Sequence, residues 1–304
     1  MTDIKSKKFK IIDILLLICS ILPIFGVILL KILTYEPASG VALRGARVFF
    51  QIPMPIQDLY ITESQLNSWA VVISILFLCL YFTHGLSKDA HTKRQLAIEW
   101  VVEKVDGMID ENMGARFASF SPFIIAMIAL SAFSSLLSLF GLFPPTSDLN
   151  ITAGWAILVF ALITYYKLKC GPVNYLAGFA SPTPILAPIN FISEFATPIS
   201  FAFRHYGNVL SGVVISVLMS AALQGLSGML LGWLPGFLAD IPFLQIGIPA
   251  VFSIYFDVFS GCLQAYIFAM LTMMNVSSAF DAEEFERRKI KKEQNKLNKS
   301  NKKV

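Results

Sequence analysis

Long apolar runs separated by short polar stretches dominate this chain and set its fold class. Four runs of near-spanning length come first, at 11–30, about 69–82 with a start near Leu66, about 120–143, and 151–166. Two longer runs follow, at about 189–223 and about 241–279. As helices these would be roughly 50 Å long against a hydrocarbon layer of about 30 Å, so each must tilt steeply or break. The pattern predicts an all-α polytopic membrane protein with about six transmembrane helices, the last two long and strongly tilted as a hairpin.

The polar stretches supply the punctuation. Residues 34–65 carry Pro37, Pro53 and Pro55 and suit an external loop. Pro144-Pro145-Thr146-Ser147-Asp148-Leu149-Asn150 marks a turn and a helix start, and the Pro-rich stretch 171–188 lies at the opposite interface. Gly225, Gly228, Gly232, Pro235 and Gly236 offer the turn between the last two runs. Between 88 and 116, Ala97, Ile98, Val101, Val102, Val105, Met108 and Ile109 trace one helical face. That face suits the membrane surface or a partner, with a solvated connector helix as the alternative. Residues 1–10 hold four lysines before the first run, which fits a signal peptide or a first span. The length of the run and the lack of a small-residue cleavage site before Lys31 favour a retained span. The basic N-terminus, the 88–116 loop, Lys167, Lys169 and the basic tail then share one side, so both termini are expected in the cytoplasm and the protein in the plasma membrane. The chain divides into an N-terminal span and loop (1–66), a membrane domain (67–280) and a tail (281–304) expected to extend the last helix and fray.

Composition agrees. Of 304 residues 56% are hydrophobic and only 14% charged, where a soluble domain has about a quarter charged. The net charge of +4 does not point to nucleic acid, because 9 of the 24 Lys and Arg fall in the last 18 residues. Cys19, Cys79, Cys170 and Cys262 are scattered without a CxxC pair, and His84, His91 and His205 lack ligand spacing, so no disulfide framework, metal site or cofactor is expected. No nucleotide loop or nucleophile–base set appears, and the lone chain does not read as an enzyme.

What remains is the charge inside the apolar runs. Arg204 cannot lose its proton, so within a bilayer it should face the protein interior or a wet cavity in anionic or polar company. Thr197, Ser200, Arg204, Asn208 and Ser211 share one side at helical spacing, with Gly207 and Gly212 close by. Glu194 lies ten residues earlier on another face and is a poor direct partner. Asp257 lies seven residues before Gln264, hence on nearly the same face, with Ser253, Ser260 and Gly261 continuing the line toward Thr272. A permanent cation and a titratable acid on two polar stripes suggest an ion or proton route. Two bland readings stand beside it: an arginine that only ties helices together, and an Arg204–Asp257 pair that only fixes packing. His205 reads first as a hydrogen-bonded packing residue and second as a proton carrier.

These residues resemble subunit a of the rotary F-type ATP synthase, of bacterial type. Pro198-Ile199-Ser200, Arg204, Gly207 and Asn208 are similar to that family's arginine helix, and Gln264-Ala265, Phe268 and Leu271-Thr272 to its final helix. The segment ending Asp148-Leu149-Asn150, Gly171-Pro172, Pro182-Thr183-Pro184, and Gln95 with Glu99 also match, over about residues 60–280. The resemblance implies a proton-conducting stator with two offset half-channels beside a rotating c-ring, and the peripheral-stalk subunit b as a further partner. Arg204 would face a ring carboxylate and block direct passage, with Asn208 and Gln264 near it and Asp257 as the titratable group of the external half-channel. Glu194, His205 and Asp148 are secondary candidates. Val213 stands where some members carry glutamate, and Asp257 where members carry Glu or His. The rival is a self-contained ion-coupled secondary transporter with Arg204 holding an anionic substrate; no internal repeat of the kind common in such transporters is visible.

Overall fold

The computed structural model describes residues 2–34, 45–55, 58–86, 92–180, 183–232, 244 and 247–301. Its elements are α1 (Thr2–Leu33), a hairpin of β1 (Val48–Ile52) and β2 (Leu59–Thr62), α2 (Glu63–Thr83), α3 (Lys93–Asn112), α4 (Ser121–Leu136) and α5 (Leu149–Cys170). Then come α6 (Pro172–Phe179), α7 (Ala187–Leu231), α8 (Ile248–Ser253), a π-helical segment (Ile254–Ser260), α9 (Gly261–Ala279) and α10 (Ala282–Asn301). Among the described residues six stretches are long and apolar enough to span: Ile11–Leu33, Glu63–Thr83, Ala115–Phe140, Leu149–Cys170, Pro184–Leu231 and Ile254–Ala279. The molecule is an all-α polytopic membrane protein apart from the one hairpin.

The interior is built where α3, α4, α5, α7 and α9 meet. Ile109, Ile124, Val159, Phe201, Phe268 and Met273 form its middle, all buried. α4 and α9 come close at Gly261, where an added Cβ would lie 2.6 Å from the Cβ of Ser135. α1 stands outside this core. It packs along α2, with Ile24, Val27 and Ile28 against a smaller cluster of Val71, Leu137 and Leu142. Most of its apolar surface faces outward, as expected of a helix whose solvent is lipid.

Several boundaries differ from the sequence pattern for identifiable reasons. α2 begins at Glu63, not near Leu66 or Trp69, because its first turn carries Glu63, Ser64 and Asn67 into a buried polar contact instead of an apolar one. The loop before it contains the antiparallel pair β1–β2, registered Gln51 to Tyr60 and Ile52 to Leu59. Only the C-terminal part of the α3 face is covered: Val105 and Ile109 are buried and Met108 packs against the core, whereas Ala97, Val101 and Val102 are exposed. The fifth run is one helix of 45 residues that passes through Pro198, so Gly225 and Gly228 lie inside it and only Gly232 ends it. Pro235 and Gly236, assigned to the turn, lie outside the described residues. The last run changes hydrogen-bonding pattern at Ile254–Ser260. The tail leaves the axis of α9 at Phe280, which is extended (φ −101, ψ 103), and starts a new helix.

Candidate functional site around Arg204

α7 has two unlike sides. Inward it buries Phe201, Ala202, His205 and Gly212. Outward it exposes Ser200, Phe203, Arg204, Gly207 and Ser211. Arg204 is therefore not enclosed by its own chain, and among the described residues it forms no ion pair. The Arg204–Asp257 pair considered from sequence is absent. Gly207, one turn further, leaves the space beside the guanidinium open, since an added Cβ there would meet nothing within 4 Å.

Asn208 sits at the edge between the two sides and turns inward. Its amide donates to Ser260 Oγ at 3.1 Å, and the hydroxyl lies 3.3 Å from Asn208 Oδ1. One turn on, Gly212 lets Phe256 approach: a Cβ at Gly212 would lie 3.4 Å from the Cβ of Phe256. These contacts fasten the middle of α7 to the π-helical segment, which contains Asp257. Asp257 is half-buried, whereas Gln264 is buried at 4% exposure. Asp257 lies in the π-helical segment and Gln264 in α9, so the turn between them includes i→i+5 bonding and departs from the α-helical spacing. Gln264 Nε2 has no hydrogen-bond partner among the described residues, and neither does buried Ser135 Oγ on facing α4.

His205, though next to Arg204, points the opposite way. It is 1% exposed, with Nε2 3.3 Å from Ser131 Oγ and its ring edge-on to Trp155 and Phe268 at 5.7 and 5.4 Å. Thr272 donates to the Phe268 carbonyl at 2.8 Å within α9. Asp148 caps α5, accepting from Asn150 N at 2.9 Å, while its other oxygen accepts from Ser64 Oγ on α2.

Glu194 is paired elsewhere, as its spacing from Arg204 implies. Lys167 Nζ lies 2.7 Å from both of its oxygens, and Tyr175 donates to Oε1 at 3.3 Å. Burial, and then the Glu194 charge, push the Tyr175 phenol above its ordinary pKa, so it stays a proton donor. This cluster lines a cleft of about 430 Å3 with Asn190 and Thr197, and Thr197 lies two turns before Arg204 on α7.

At the other end of the molecule is a polar group that sequence reasoning passed over. Lys31 Nζ pairs with Glu63 at 2.9 Å and donates to the Gly141 carbonyl at 2.6 Å. Asn67 donates to the Phe143 carbonyl at 2.7 Å. Glu63 and Asn67 are almost completely buried, and Asn67 Oδ1 and Thr146 Oγ1 have no hydrogen-bond partner among the described residues. The two charges belong to different helices 32 residues apart, so periodicity within either helix gives no hint of the pair.

The comparisons agree with this geometry. A family model described as ATP synthase A chain matches residues 66–277. ATP synthase subunit a of Macrococcus caseolyticus is 30% identical over 220 residues, covering 68% of this chain and 85% of that protein. The subunit a of Anoxybacillus flavithermus is 34% identical over 194 residues (60% and 77%), and that of Staphylococcus carnosus 28% identical over 243 residues (74% and 95%). With the matched region holding every span from α2 to α9, the chain belongs to the ATP synthase subunit a family and is a component of the membrane sector of that complex.

Proposed function

We propose that this subunit is the proton-conducting stator of the membrane sector and that Arg204 works against a carboxylate of a rotating c-ring. The observation that carries the proposal is the position of Arg204 on the outward side of α7, among small residues and with no ion pair among the described residues. A guanidinium in an apolar span needs a negative partner. Here that partner comes from a neighbouring subunit, whose helix can approach because Ser200, Gly207 and Ser211 are small. A self-contained transporter would instead hold such a charge between its own helices.

The rest of the site divides into two routes. Toward the Lys167 end, Thr197 and the cleft with Glu194 and Tyr175 form the exit. Toward the other end, Asp257 in the π-helical segment is the titratable group of the entry route, with Asn208 beside it and Gln264 offering an unpaired amide to water. His205 and Asp148 act as packing and capping groups. Arg204, lying between the two routes, keeps a proton from passing without boarding the ring. Sidedness follows from the gathering of Lys169, Arg116 and α10 at one end: Arg116 lies 3.8 Å from Glu286, and Asp13 near the start of α1 pairs with Arg94 at 3.2 Å. The basic character of that end supports reading it as the cytoplasmic side of the plasma membrane, with both termini on that side and α3 near the peripheral-stalk subunit b.

The test is Arg204→Ala in the assembled complex. Ion-driven ATP synthesis is expected to be abolished, and near-normal synthesis overturns the proposal.

A further inference from the structure

The residues after the last span take no part in the route described above, and the family match ends at 277, before them. They are nevertheless built into the fold. After the extended Phe280, Asp281 caps the new helix by accepting from Glu284 N at 3.1 Å. Phe285 packs on Phe280 at 5.3 Å, and Lys169 Nζ lies 5.5 Å from the Phe285 ring. The guanidinium of Arg288 lies against Gly171 at the end of α5, where a Cβ would come within 2.5 Å of it. Glu286 reaches Arg116, ahead of α4. The base of α10 is thus anchored where α4 and α5 leave the membrane.

Its charges are sorted along and around the helix. Asp281, Glu283, Glu284 and Glu286 lie at the start, where acids complement the helix dipole. From Arg287 to Val304 there are nine lysines and arginines and one acid, Glu293. At the helical repeat, positions 288, 289, 291, 292, 296 and 299, all basic, fall on one side together with Glu284, which pairs with Arg288 at 3.4 Å, and Glu283, Glu286, Ile290 and Glu293 fall on the other. The basic side is the side of Arg288, which meets the end of α5. A merely solvated charge run has no reason to be pinned at its base or, from Arg288 onward, to keep its one acid, Glu293, off the basic side.

We propose that α10 is an electrostatic arm that lies along the headgroups of the leaflet on the Lys169 side and binds anionic phospholipids through its basic face. Anionic headgroups can gather beneath such an arm, each lysine or arginine near the surface adds to the attraction, and salt screens it. The proposal is independent of the ion route.

The test uses the full chain reconstituted in vesicles of phosphatidylcholine alone or with about a third phosphatidylglycerol, exposed to a protease that cuts after glutamate. Cleavage after Glu293 is read by mass, with cleavage after exposed Glu103 in α3, on the same side, as reference. At low salt the Glu293 cut is expected to be roughly tenfold slower in the anionic vesicles, the difference disappearing at high salt. It should also disappear in a variant combining Lys291→Gln, Lys292→Gln, Lys296→Gln and Lys299→Gln. Equal cutting in both vesicles overturns the proposal. Slow cutting in both, insensitive to salt, overturns it in favour of docking on protein.

Discussion

Two charged places in this subunit invite comparison: the Lys31–Glu63 group at one end and Arg204 in the middle of α7. Lys31 and Glu63 are satisfied within the chain, by each other, by a backbone carbonyl and by the turn after α4. Arg204 is exposed and has none of this among the described residues. A charge that has used its partners can only hold a fold together. One kept exposed in an apolar surface is uncompensated until something else arrives. Desolvation is costly in both settings, so what separates structure from function here is who supplies the counter-charge.

That contrast is sharpest in stability measurements on the detergent-solubilised chain. Lys31→Met leaves Glu63 buried and unpaired. With Lys31 itself 32% exposed, the loss should be about 2–3 kcal/mol, less than the roughly 3–5 kcal/mol of a fully buried pair broken on one side. Adding Glu63→Gln should recover more than half of it, and a thermal melt that ignores Lys31→Met would break the comparison. Gly261→Ala probes the tight contact between the two helices that carry the unpaired Gln264 and Ser135. With its Cβ 2.6 Å from that of Ser135, it should cost about 1–3 kcal/mol, partly relieved by Ser135→Gly in a double-mutant cycle. Arg204→Leu should change the melt least, within about 0.5 kcal/mol, because no ion pair among the described residues is lost. A large drop would show that the arginine serves this chain's own fold.

The spans were legible in the sequence because uninterrupted apolar runs leave few alternatives, and α5 was legible to its cap, Asp148. The hairpin β1–β2 was not, since Pro53 and Pro55 at its turn read as loop. The corner at Phe280 had a readable signal in Asp281 followed three residues later by Glu284, a helix start inside what looked like one continuous helix. The π-helical segment has no compositional mark, so the change of turn between Asp257 and Gln264 was not legible from α-helical spacing. At the site, residue identities were available but directions were not. On a helix apolar almost all round, periodicity groups Arg204 with Asn208 but does not tell which side meets lipid and which meets α9. The separation of Arg204 from buried His205 is set by tertiary packing against Ser131, Trp155 and Phe268.

The length of α7 has a geometric consequence. Its 45 residues make a rod of about 67 Å, and to stay within a bilayer of about 30 Å of hydrocarbon, or about 45 Å with headgroups, it must lean by roughly 45–60°. One turn along such an incline changes depth by only about 3–4 Å while carrying the chain about 4–5 Å sideways. Groups before and after Arg204 therefore sit at laterally separate points of the membrane plane and not simply at different depths. The slope alone turns a step in sequence into a sideways one.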